Sequence, residues 1–186
     1  MKKQIVTPNR SLTEETEHRL NKQIGLEAES SSYYLAMASW CEKSGYATSA
    51  EFLYRHSDEE RMHMLKLFHY VNDAGGHALH PDITDVRHSF SSLKEIFELI
   101  LSHEIAVTHA INELVDHCFK IKDYTTFHFL QWFVIEQREE ETLARRALEL
   151  FDIIGEDGVG LWTIDAEIGN LEKFVAAGTD QANSNP

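Results

Sequence analysis

Six side chains in this sequence have the types and spacing to do metal chemistry. Glu60 and His63 stand three residues apart, as do Gln137 and Glu140, while Glu27 and Glu104 come singly. Residues at i and i+3 share one face of a helix. Each of the six lies on a stripe of residues spaced three and four apart, the pattern of a face turned to a bundle core. The first stripe is Leu20, Ile24, Glu27, Ser31, Tyr34, Ala38, Cys41, and the second is Leu53, His56, Glu60, His63, Leu67, Tyr70, Ala74. The third is Leu93, Phe97, Ile100, Glu104, Val107, Ile111, Leu114, Cys118, and the fourth is Thr126, Leu130, Phe133, Gln137, Glu140, Ala144, Ala147, Phe151.

A carboxylate on an apolar stripe must protonate, pair or bind a cation, because burying it alone costs several kcal/mol. No Lys or Arg lies on any of the four stripes. What accompanies each carboxylate is more carboxylate, with His63 read as the one imidazole at their level. Four ionised carboxylates balance two divalent cations, and oxygen ligands with one imidazole suit Fe(II), Mn(II) or Zn(II). So few neutral ligands leave open positions for O2 or water. The plainer readings are weaker. A Glu-x-x-His pair arises often by chance, and a Glu on such a stripe commonly snorkels at a helix end. Here the interruptions fall mid-segment on all four stripes. Glu59, Glu136 and Glu139 adjoin these residues and form either a solvated acidic face or an accessory cation site.

The elements that must position these groups are long helices. Periodic segments run from about Leu12 to Glu42, Thr48 to Ala74, Ser92 to Lys120 and Asp123 to Ile154, with a shorter fifth over about Val159 to Ala177. Ser11-Leu-Thr-Glu14 and Ser92-Leu-Lys-Glu95 read as capping boxes. Gly75-Gly76 and Gly155 mark stops. The first and third connections hold a few residues, enough for antiparallel hairpins. The middle one, Gly75 to Ser91, is long enough to travel the length of a bundle. The expected fold is all-α: an antiparallel four-helix bundle with one long crossover and a short fifth C-terminal helix. Residues 1–178 are read as a single domain, and 179–186, small and polar, as a disordered tail.

Composition narrows the partners. The formal net charge of −14 repels phosphate backbones and attracts cations, so no nucleic acid is expected. The basic start MKKQIVTPNR lacks the apolar run of a signal peptide, and no segment is apolar enough to span a bilayer. No membrane partner is expected. Cys41 and Cys118, with no CxxC, fit a cytoplasmic protein with buried free thiols.

The segments LNKQIGLEAESSSYYLAM, EFLYRHSDEERMHMLKLF, INELVDHCFKIKDYTTFHFLQWFVIEQREEE and LWTIDAEI closely resemble the bacterial non-haem ferritins, from Leu20 to about Glu172. The resemblance implies a ferritin-like fold and iron storage. It also implies ferroxidase activity with O2 or peroxide, and a homo-oligomeric shell of 24 subunits. By residue, it implies that Glu27, Glu60 and His63 bind one iron, and that Glu60, Glu104 and Glu140 bind the second, with Gln137 beside the pair. Glu59, Glu136, Glu139 and Glu140 would hold a third. Tyr34 matches a tyrosine next to the centre and Trp132 a tryptophan that supplies an electron. The cofactor set is thus Fe(II)/Fe(III), two per centre plus a third site, and no haem.

Departures from relatives sharpen this. Bacterioferritins carry a haem-ligating Met directly after the bridging Glu, where this chain has Arg61, and Glu-x-x-His on the fourth helix, where it has Gln137 and Glu140. Rubrerythrins need two CxxC pairs. The acidic pore positions of animal ferritins match Phe127 and Leu130, which leaves the iron entry route open. His77, His80, His88 and His117 carry no ligand pattern and are expected in solvent. Two rival readings stay on the table. A diiron oxygenase or oxidase would need an apolar pocket beside the metals, for which the stripes offer little space. A non-catalytic bundle would leave the buried carboxylates unexplained.

Overall fold

The structure, a computed structural model, describes residues 10–171. It holds α1 (Glu14–Ser44), α2 (Ala47–Asp73), α3 (Leu93–Ile121), α4 (Tyr124–Ile154) and α5 (Gly158–Ile168), with no strand among the described residues. The four expected long helices are present within a few residues of their expected ends. The fifth begins where expected but ends at Ile168, where Gly169 and Asn170 turn the chain, short of the expected run to Ala177; residues 172–177 and the tail after them lie outside the described residues. No described helix is long and apolar enough to cross a membrane.

Side chains and backbone end each helix. The α3 start is the expected cap: Ser92 Oγ accepts from the Glu95 N–H. The Glu95 carboxylate reaches back to the N–H of Ser91, one residue earlier than a reciprocal box would have it. At α1 the cap is Thr13, whose Oγ1 accepts from the Thr16 N–H, and not Ser11, whose hydroxyl donates to the Ala74 carbonyl. Gly45, at φ 90°, closes α1 in the left-handed region that only Gly enters without strain, its N–H and that of Tyr46 turning back onto the last carbonyls.

Contacts fix the directions. Thr16 meets His117 and Ser30 meets His103, so α1 and α3 run antiparallel. Tyr70 meets Thr126 and His63 meets Trp132, so α2 and α4 do too. The crossover runs beside α1: Asn21 bonds the backbone of His77 and Leu79, Pro81 lies over Gly25, and Phe90 packs on Trp40. It thus travels the bundle's length, as its residue count requires.

Two apolar clusters fill the bundle. One gathers Met37, Leu53, Phe97 and Phe151; the other gathers Leu20, Leu67, Ile111 and Phe133. Between them lies a polar layer.

The start of α2 lacks a local cap, since Tyr46 makes no side-chain bond to it. Asp165 of α5 takes that role. Its carboxylate accepts from the N–H groups of Thr48 (3.3 Å) and Ser49 (2.8 Å) and from the Ser49 hydroxyl (2.6 Å). A carboxylate at a helix N-terminus satisfies orphan donors and complements the dipole. Asp165→Ala is expected to cost about 1–2 kcal/mol, seen as a lower thermal midpoint. Asp165→Asn, which keeps an acceptor, should lose less. A wild-type melting curve for Asp165→Ala would show that α5 is docked by its apolar face alone.

Candidate metal centre

All six predicted side chains point into the polar layer. Glu27 is 0% exposed, Glu104 1% and Glu140 4%, and Glu60, His63 and Gln137 are buried with them. Each is delivered by the 3–4 spacing of its helix, and the antiparallel packing brings the four helices to one level.

Glu27, Glu60 and His63 form a compact ligand group, each offering an atom within 4.8 Å of the others. The His63 Nδ1 lies 3.5 Å from a Glu60 oxygen and 3.9 Å from a Glu27 oxygen. Glu104 is held apart from this group. Its oxygens accept from the Tyr34 hydroxyl (2.8 Å) and the Gln137 amide (3.1 Å). The spacing thus brings all six side chains into one layer, but of the two expected iron ligand sets only Glu27, Glu60 and His63 stand as a compact group. Glu104 and Glu140 bear on Glu60 through charge.

The electrostatics follow from crowding. Burial raises Glu60 well above the ordinary carboxylate range, and the charges of Glu27, Glu104 and Glu140 push it further. Burial, then Glu140, lifts Glu104 to about 7 against the pull of Tyr34 and Gln137. Glu27 is also raised, chiefly by burial. Burial and the Glu104 carboxylate drive the Tyr34 phenol far up, so it stays a donor.

The accessory set is partly assembled. Glu59, His63 and Glu136 form one candidate ligand group. Glu136 is pushed to about 7 by burial and by Glu139 and Glu59. Glu139 acts through its charge and belongs to none of the three-residue ligand groups among the described residues.

Two residues escaped the sequence reading. His56 is 2% exposed, with Nδ1 3.3 Å from Glu140, and makes a group with Glu59 and Glu140. His63 is therefore not the one imidazole at this level. The signal was present, since His56 sits on its stripe one helical turn before Glu60, but its height against α4 was not. Gln23, one turn before Glu27, donates its amide to Glu27 at 2.8 Å and fixes that carboxylate.

Other expectations also shift. Leu130 is fully buried in its own bundle and cannot line a pore. His117 bonds the Thr16 hydroxyl instead of standing free in solvent. A cleft of about 390 Å³, walled by Tyr33, Tyr34, Met37, Phe90, Leu99 and His103, does lie beside the site. Tyr34, whose hydroxyl bonds Glu104, forms part of its wall. Trp132 meets His63 edge-on at 5.2 Å, with the Lys66 ammonium 3.7 Å above its ring.

A bundle that gathers carboxylates and imidazole from four helices in a buried layer is built as a metal-binding bundle. The sequence matches the family described as "Ferritin-like domain" over residues 17–154. It is 46% identical over 160 residues to a probable bacterial non-heme ferritin-like protein of Haemophilus influenzae, covering 86% of this chain and 97% of that one. It is 39% identical to the bacterial non-heme ferritin of Campylobacter jejuni, covering 86% and 96%. Among solved structures, an open pore ferritin of Archaeoglobus fulgidus superposes with a TM-score of 0.82 at 35% identity, covering 85% of this chain and 96% of that one. The chain belongs to the ferritin family and is an iron-storage ferritin.

Raised carboxyl pKa values have a signed consequence. Glu104 holds its proton to about 7 when folded, against an ordinary 4.5. Its stabilising contribution is full below the unfolded value and is lost as pH rises through the folded one. Through Glu104 the metal-free protein should therefore weaken as pH rises between about 4.5 and 7. Glu104→Gln keeps an acceptor for Tyr34 and removes the charge. It should raise metal-free stability at pH 8 by about 2 kcal/mol, read from thermal melts with chelator. A variant less stable than wild type would show that the carboxylate is offset by contacts other than these.

Proposed function

We propose that each subunit is a ferroxidase that binds Fe(II) as substrate at Glu27, Glu60, His63, Glu104 and Glu140, with Gln137 positioning Glu104. Two Fe(II) each release one electron. O2 takes both with two protons and leaves as hydrogen peroxide, and the ferric product passes to storage. An anionic, oxygen-rich site favours Fe(III) over Fe(II), which drives the oxidation. The observation that carries this reading is the buried layer itself: four carboxylates and two imidazoles between two apolar clusters, with no Lys or Arg buried among the described residues. Two cations restore neutrality there.

Glu59, Glu136, Glu139 and Glu140 are proposed to hold a third Fe(II). With its electron, and one from Trp132, O2 takes four electrons and four protons and leaves as two waters. The Lys66 ammonium disfavours a positive charge on the Trp132 ring, so the oxidised indole gives up its N–H proton. None of the five proposed iron ligands lines the outer cleft, which disfavours the oxygenase reading. The assembly proposed is a closed homo-oligomer of 24 chains in the cytoplasm. Gel filtration near half a megadalton supports it; a monomer or dimer removes storage in a shell.

His63→Ala is expected to weaken the first site and slow the fast oxidation phase by on the order of 10–100-fold, as loss of a group tied to metal binding does. Glu104→Ala should do likewise through the second site. Stopped-flow absorbance after anaerobic loading measures both. Either variant oxidising two Fe(II) per subunit at the wild-type rate would refute the assignment.

The accessory site makes a separate claim. Glu136→Ala should keep two tightly bound Fe(II) while the ratio of iron oxidised to O2 consumed falls from three toward two in a single turnover. Oxygen-electrode titration reads this ratio. An unchanged ratio leaves Glu136 as part of a solvated acidic face.

A further inference from the structure

Resting on the accessory-site reading above, we propose that His56 is a nitrogen ligand of the third iron, which sits between His56, Glu59 and Glu140. One ligand atom from each of these lies within 4.8 Å of the other two. The His56 Nδ1 is 3.3 Å from a Glu140 oxygen and 3.9 Å from a Glu59 oxygen. Ligand bonds of about 2.0–2.2 Å in a tetrahedral arrangement put neighbouring ligand atoms roughly 3.3–3.6 Å apart. The first distance already fits, and the second needs only a small turn of Glu59, the most exposed of the three.

The imidazole is held in place before any metal arrives. It packs against Phe52 at 4.2 Å between ring centroids and stacks on Tyr34 at 5.5 Å with an interplanar angle of 26°. Glu140 is shared with the diiron layer, so a metal beside His56 is linked to the pair through one carboxylate. Glu59 also belongs to the group with His63 and Glu136. That places His56 and His63 on either side of one movable carboxylate.

An imidazole at this position alters the chemistry of the site. A neutral nitrogen ligand adds no negative charge to a region where Glu59, Glu60 and Glu140 already gather. It stabilises Fe(III) less than another carboxylate does, and so lets the third metal remain Fe(II) until its electron is drawn. It also favours Zn(II) over Mg(II) or Ca(II), which prefer oxygen alone. Zn(II) is thus expected to compete for this position.

The test uses the assembled protein. Crystals are soaked anaerobically in Zn(II) and, separately, in Fe(II), and anomalous maps are collected at each edge. A third metal bonded to the His56 ring at about 2.1 Å, lost in His56→Gln, is the expected result. Anaerobic calorimetry should show the third Fe(II) equivalent at least tenfold weaker in His56→Gln, with two equivalents retained. If that variant does not assemble, the wild-type maps decide. A third metal held by carboxylates alone, or unchanged third-equivalent affinity in His56→Gln, overturns the proposal and leaves the accessory site standing. Only two metals in wild type removes both.

Discussion

Four carboxylates forced into one buried layer dominate this structure. Desolvation and mutual repulsion make the layer unfavourable when empty, and protons are the first remedy. Burial and its neighbours raise Glu60 well above the ordinary carboxylate range, and Glu104 keeps its proton to about 7. The second remedy is a pair of divalent cations. The chain thus trades stability in the metal-free state for affinity, and the two apolar clusters on either side supply the packing that tolerates it.

The supporting groups are donors placed to hold these oxygens. Gln23 fixes Glu27, while Tyr34 and Gln137 fix Glu104 from opposite helices. None adds charge. Each holds an oxygen in place before a metal arrives, which limits the reorganisation that binding requires. The helix ends show the same use of polar groups, with Asp165 of α5 serving the uncapped start of α2 and so tying the short helix to the hairpin that carries Glu60 and His63.

The layer has an inner and an outer part. Glu27, Glu60 and Glu104 are enclosed, whereas Glu59, Glu136 and Glu139 sit partly in solvent, and Glu140 and His56 stand at the boundary. Charge couples the two parts, as the rise in Glu136 caused by its neighbours makes plain. A graded descent from solvated to buried carboxylate suits a cation that must shed its water in steps.

The sequence by itself determined the helices, the crossover and the six residues of the layer. A stripe with a 3–4 period fixes which face of a helix is buried, and nearly every stripe residue named from it lies in the core. A single Glu on a stripe with no basic residue leaves few outcomes. Tertiary structure decided what depends on height between helices. It set His56 against Glu140, brought Glu59 into two ligand groups, kept Glu139 out of both, and moved the α1 cap from Ser11 to Thr13. Periodicity carries angle around a helix but not level along it. Level is set by loop lengths and by side-chain packing across antiparallel neighbours, and those appear only when the chain is folded.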